Sequence, residues 1–178
     1  MEFFEVIRKR RACREYTKEP VPPELVQKLI HAGNRAPTAC NLPRRRLIVV
    51  DDPRAIRSIR QISPSIRADP PLFIIVATDL RREDGETNPL AERSSHIDSG
   101  AAGENITLAA TALGLASQFT MVPFMSGIRE ILHLPEHYRV DLVIPIGYSE
   151  GRQKSVKPQA NANTVYYNRY GEIYDIKQ

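Results

Sequence analysis

Three arginines, Arg10, Arg11 and Arg14, crowd the stretch Arg10-Arg11-Ala12-Cys13-Arg14-Glu15-Tyr16, directly behind a short apolar helix signal. A guanidinium presents a rigid fork of donors that engages phosphate oxygens two at a time. The stretch is therefore a candidate cradle for a phosphate-bearing ligand. Taken alone it reads better as a solvated basic run, and only the rest of the chain changes that balance.

Other reactive side chains offer less. Cys13 and Cys40 are the two cysteines, and neither belongs to a Cys-x-x-Cys pair. They read as small, partly buried thiols and point to a reducing, cytoplasmic setting. His133 and His137 are spaced i, i+4, but Pro135 lies between them and no third ligand accompanies them, so no metal is expected. The sequence contains no Gly-x-Ser-x-Gly, no P-loop and no dinucleotide Gly-x-Gly-x-x-Gly. The net charge is +4 and the pI about 9.2, with most arginines placed before Arg93. That bias suits an anionic ligand or an acidic partner and does not by itself indicate nucleic acid.

The elements that must position these groups follow from apolar spacing. With 178 residues, 42% hydrophobic and 26% charged, the chain suits one domain over residues 1–178. Met1 to Ile7 carries none of the features of a signal peptide, and no apolar run is long enough to span a bilayer. Phe3, Phe4 and Ile7 mark a short helix ending near Arg10. Pro22-Pro23-Glu24 starts a second helix that leaves at Gly33-Asn34. After a loop over 36–43, strands are expected over 46–50, 72–78, 117–120 and 139–148, and helices over 53–62, 96–115 and 126–132. Residues 79–95 read as a polar loop. The long helix is apolar or small on most sides, which suits a central or subunit-interface position. The polar tail, with Tyr166, Tyr167, Tyr170 and Tyr174, reads as an arm that needs something to lie on. This is an α+β layout around a small mixed, mostly antiparallel sheet flanked by helices.

Taken in order, the motifs resemble the nitroreductase family of FMN-dependent NAD(P)H oxidoreductases. The family opens with Arg-Arg-Ser-x-Arg-x-aromatic; the stretch Arg10 to Tyr16 matches, with Ala12 in place of serine. Ala36-Pro37-Thr38-Ala39-Cys40-Asn41-Leu42 is similar to its second signature, Ala-Pro-Ser-x-x-Asn-x-Gln-Pro-Trp. Asp98-Ser99-Gly100, Glu104-Asn105 and Ala112-Leu113-Gly114-Leu115 resemble its long helix. Ile146-Gly147-Tyr148 and Lys157-Pro158-Gln159 resemble its last strand and the Lys-Pro-Arg element behind it.

The resemblance implies a homodimer with FMN at the interface and a C-terminal arm reaching onto the partner subunit. It implies that Arg10, Arg11 and Ala12 line the phosphate and ribityl chain, and that Arg14 lies near flavin N1 and O2. Lys157 would meet the phosphate, and Gln159 stands where the family has arginine. Pro37, Thr38, Ala39 and Asn41 would come from the second copy, and Val122 and Pro123 would pass near N5. The cofactor carries the reaction, so no side-chain nucleophile is implied. A guanidinium near N1 and O2 would stabilise charge developing there. The electron donor would be NAD(P)H or an acidic redox protein, and the acceptor a small oxidised organic compound such as a nitroaromatic or quinone. Within the same fold a specialised relative (reductive dehalogenation, flavin cleavage or azoline oxidation) or a non-catalytic flavin-binding protein is the alternative. An arginine-rich nucleic-acid binder is a further one. The largest departure is Pro43-Arg44-Arg45-Arg46, where the family shows Gln-Pro-Trp and a variable residue. It reads either as a solvated run or as a pocket rim in which Arg44 and Arg45 favour an anionic donor.

Overall fold

The computed structural model describes residues 1–66, 69–81, 89–121, 124–149, 151 and 165–172. Along the chain come α1 (Phe3–Lys9), α2 (Pro23–Asn34), a 3₁₀ turn (Ala39–Asn41), β1 (Arg45–Val50), α3 (Pro53–Gln61), β2 (Leu72–Asp79), α4 (Pro89–Ala112), β3 (Ala116–Ser117), α5 (Met125–Ile131) and β4 (Tyr138–Gly147). The strands form one sheet in the order β1-β2-β4-β3, with every neighbouring pair antiparallel. The sheet is therefore less mixed than the alternation of helices and strands suggests. Its one parallel contact among the described residues is the isolated bridge between Ala12 and Ser117.

Alternation along β2 explains the layering. Leu72, Ile74 and Val76 point to one face, where Leu29 of α2 and Ile106 and Ala110 of α4 cover them. Phe73 and Ile75 point to the other, against Ile56 and Ile59 of α3 and Ile128 of α5. Both faces are buried, so β2 is a continuous apolar run rather than an alternating one. Each fully buried Ile or Phe contributes about 1.5–3 kcal/mol relative to exposure.

Three boundaries differ from the sequence expectation by more than one residue. Helix α4 begins at Pro89, not near residue 96. Proline suits a first helical turn, and the polar residues that suggested a loop include Ser95, which is buried and accepts from the Arg139 guanidinium. The same helix stops at Ala112, before Leu115. There Gly114 adopts φ +77° and Leu115 N–H returns to Ala110 O at 2.8 Å, closing the end. Strand β3 covers Ala116–Ser117 only, and Thr120 touches Val143 as an isolated bridge.

A buried carboxylate locks α4 to the sheet. Between β2 and β4 the register slips: Val76 faces Leu142, Ala77 faces Val140, and Asp141 is the extra residue. This bulge aims the Asp141 side chain at its neighbours. Its Oδ2 accepts from Thr78 Oγ1 at 2.5 Å and Ser99 Oγ at 2.7 Å, and its Oδ1 from Arg139 Nε at 2.8 Å. Strands β2 and β4 and helix α4 thus share one buried anion. Asp141→Ala should strand the Arg139 charge and two hydroxyls, costing about 3–5 kcal/mol in urea unfolding of the cofactor-free protein. Asp141→Asn, which keeps an acceptor, should cost less. A loss below about 1 kcal/mol for the alanine variant would contradict this role.

Candidate functional site

The arginine loop is zipped to the sheet edge. Cys13 N–H donates to Ser117 O at 2.9 Å, and Thr17 N–H to Tyr148 O at 2.9 Å. Between them Tyr16 is buried, and its hydroxyl donates to Cys13 O (3.1 Å) and Pro145 O (3.3 Å). Cys13 is buried beside it, with its thiol on Glu15 O at 3.0 Å. The small Gly147 lets the Tyr16 ring and Pro71 close over the strand: a Cβ there would lie 2.7 Å from Pro71 Cδ and 3.2 Å from Tyr16 Cδ1.

On this frame the three arginines differ. Arg10 pairs with Glu104 of α4, Nε to Oε1 at 3.3 Å. Arg11 spends one Nη on Arg8 O (2.6 Å) and Arg10 O (2.7 Å) and meets no carboxylate among the described residues. Arg14 is exposed and makes no ion pair among the described residues. Ala12 lies on the bridge to Ser117 and offers no side-chain donor.

The second predicted loop is pinned elsewhere on α4. Ala39 N–H is shared between Asp98 Oδ1 and Oδ2, both at 3.1 Å. Pro37 and Asn41 are exposed, and Thr38 and Ala39 are half-buried. Cys40 is exposed and, like Asn41, adopts φ 54°. Asp98 and Glu104 are separated by about one and two-thirds helical turns, so they leave α4 on different faces. Among the described residues no hydrogen bond or ion pair joins one loop to the other within the chain. Val122, Pro123, Lys157 and Gln159 lie outside the described residues, as does Tyr174. Tyr166, Tyr167 and Tyr170 fall in an exposed turn over 165–172, with the Tyr166 and Tyr170 rings 4.7 Å apart.

Arg44 precedes β1 and Arg45 and Arg46 open it, and the Arg45 fork is spent on backbone carbonyls. Its Nη2 donates to Asn34 O (3.4 Å) and Ala36 O (3.1 Å), and its Nη1 to Pro37 O (3.4 Å) and Asp98 O (3.2 Å). Burial pulls this guanidinium below its usual range, and the Asp98 charge opposes that. Arg44 donates to Arg81 O, and Arg46 to Pro43 O and Arg45 O. Asp98 and Asn105 also bond within the chain; Asn105 Nδ2 donates to Ala32 O at 3.1 Å.

The pattern of the Nitroreductase family matches residues 7–69 and 64–148. The chain belongs to the nitroreductase family. Membership makes it an oxidoreductase. A Methanothermobacter thermautotrophicus protein assigned as an NADH dehydrogenase/NAD(P)H nitroreductase is 33% identical over 154 residues, covering 83% of this chain and 78% of its own. An FMN-dependent nitroreductase from Clostridium difficile superposes with TM-score 0.80 at 26% identity, over 94% of this chain and 99% of its own. An NADPH:FMN oxidoreductase from Vibrio harveyi shares the fold, with TM-score 0.84 at 23% identity over 97% and 79%.

Sequence reasoning missed what fixes the nitroreductase loops. Tyr16 was visible only as a motif aromatic, and nothing in the sequence signals that its hydroxyl ties the loop to β4. Burial raises the Tyr16 pKa, with the neighbouring Cys13 adding to the effect. The folded state thus resists tyrosinate formation while the unfolded chain ionises near pH 10. The contribution of Tyr16 is complete below about pH 10 and is lost as pH rises beyond it, by up to about 1.4 kcal/mol per pH unit. Tyr16→Phe should cost about 1 kcal/mol at neutral pH. The gap to wild type should narrow above about pH 10, in denaturant titrations across that range. A gap that stays constant to pH 11 would contradict the assignment.

Proposed function

We propose that the chain is an FMN-dependent NAD(P)H oxidoreductase, a single FMN-binding domain over residues 1–178 that works as a homodimer. The observation that carries the reading is the pair Arg11 and Arg14. Their charges meet no carboxylate among the described residues, on a loop whose backbone is already committed to the sheet edge. Acid-free guanidiniums on a fixed backbone suit a dianionic phosphate and an electron-rich ring edge, so the residues present fit FMN. Bound FMN supplies two-electron chemistry at its N5, accepting from NAD(P)H and delivering to a small oxidised organic compound.

The residues of the chain bind and orient. Arg10, Arg11 and Ala12 hold the phosphate end, with Lys157 from the tail. Gln159 replaces a cationic contact with a neutral one. Arg14 holds positive charge toward N1 and O2, where reduction places negative charge. Pro37, Thr38, Ala39 and Asn41 close the site from the second copy, and Val122 and Pro123 line it. Support for a second copy comes from apolar side chains left uncovered among the described residues: Phe4 is 82% and Ile97 76% exposed, with Phe3 beside Phe4 at 5.6 Å between ring centroids. The tail would lie across that copy. Free Cys13 and Cys40 suit a cytoplasmic location, and no described helix is long and apolar enough to cross a membrane.

An absorbance spectrum of purified protein, followed by anaerobic NADH or NADPH, tests the reading. A flavin band that bleaches with either donor is expected; protein that takes up no added FMN contradicts it. Arg14→Ala should keep the fold yet bind FMN about tenfold to a hundredfold more weakly, or slow its reduction by as much. Normal flavin content with a normal reduction rate would refute the role of Arg14. Phe4→Glu with Ile97→Glu should shift sedimentation toward monomer and lower flavin content. A variant that stays dimeric would remove this face from the interface.

A further inference from the structure

We infer that Arg45 and Asp98 form a clamp that holds the loop over residues 36–41 in its binding shape, making Arg45 a positioning residue for the cofactor. The inference rests on the reading above for the identity of the ligand and deepens it.

The loop needs holding. Cys40 and Asn41 follow one another at φ 54°, a left-handed conformation that costs a residue with a side chain, least so asparagine. Strain of this kind persists only where the surroundings over-determine it. The turn's own bonds, Asn41 N–H to Thr38 O (3.0 Å) and Leu42 N–H to Ala39 O (3.2 Å), are local. They do not fix the turn relative to the helices. Asp98 and Arg45 supply that link.

The Asp98 carboxylate accepts Ala39 N–H on both oxygens, tying the start of the turn to α4. The Arg45 fork then reaches four carbonyls on three pieces of structure: Asn34 at the end of α2, Ala36 and Pro37 in the loop, and Asp98 on α4. No carboxylate oxygen lies within ion-pair distance of Arg45 among the described residues. Its charge is therefore met at close range by carbonyl dipoles, with the Asp98 carboxylate acting from farther off, and its direction is set by the fork. A lysine carries its donors on one flexible point and cannot span this set. Arg45 occupies the place where the family resemblance leads to tryptophan, so in this chain a polar clamp replaces whatever an aromatic ring holds there. One consequence is that Ala39 N–H is already committed to Asp98. Ala39 therefore contributes shape to the site, and Asn41 and the neighbouring backbone are what the clamp presents.

Hydrogen exchange on flavin-free protein reads the clamp without the cofactor, and FMN fluorescence quenching reads its effect on binding. Arg45→Ala and Arg45→Lys should speed exchange in segment 36–42 by about tenfold or more while leaving β2 unchanged. Both should weaken FMN binding by about tenfold or more. Exchange in 36–42 within about twofold of wild type overturns the clamp. So does acceleration that spreads equally to β2, which marks general destabilisation. Faster exchange with unaltered FMN affinity overturns the positioning role. Wild-type protein that binds no FMN, while Arg45→Ala still frees the segment, leaves the clamp standing and removes the proposed cofactor.

Discussion

The buried carboxylate of Asp141 is the constraint on which the site depends. An unpaired charge inside the sheet would be untenable, so its partners are fixed: Thr78 on β2, Arg139 on β4 and Ser99 on α4. Ser99 lies next to Asp98, and Asp98 holds the second loop. Further along the same helix Asn105 holds α2 through Ala32 O, and Glu104 meets Arg10 of the first loop. Helix α4 is thus both the central packing element and the ruler from which both loops are set. The Asp141 carboxylate ties it to the sheet at Ser99, beside its apolar packing on β2 and β4.

On the proposed reading, each chain contributes two half-sites to a dimer. The loops leave α4 on different faces, and each is finished locally, the first by the sheet edge and Tyr16, the second by Asp98 and Arg45. Two copies with opposed faces, as in an isologous dimer, would bring a first loop and a second loop to one ligand. Phe4 and Ile97, exposed among the described residues, lie on α1, which leads into the first loop, and on α4, which bonds to both.

Much of this was legible in the sequence because it depends on local pattern. The apolar runs over β2 and β4, the Pro23 start of α2 and the order of the loops follow from spacing alone. The family resemblance follows from four motifs in order, and the Nitroreductase pattern match bears it out. What stayed hidden depends on partners distant in the chain. Asp141 reads as an interruption in an apolar strand, because a bulge exists only relative to the neighbouring strand. Ser95 reads as loop because its acceptor role for Arg139 comes from β4. Arg45 reads as one of three adjacent cations, solvated or at a pocket rim. Its distinction from Arg46, whose bonds stay within neighbouring residues, lies in the carbonyls that α2 and α4 bring to it.

The central claim is that loops 10–14 and 36–41 of different copies complete one FMN site. Co-expression of an Arg14→Ala chain with an Asn41→Ala chain, each carrying its own tag, tests it most directly through FMN bound per purified heterodimer. A heterodimer assembled this way has one site with both loops intact and one with neither. It should recover about half of the wild-type FMN content, while each variant alone remains depleted at every site. Heterodimers that bind no more FMN than the depleted homodimers would contradict a site shared between copies.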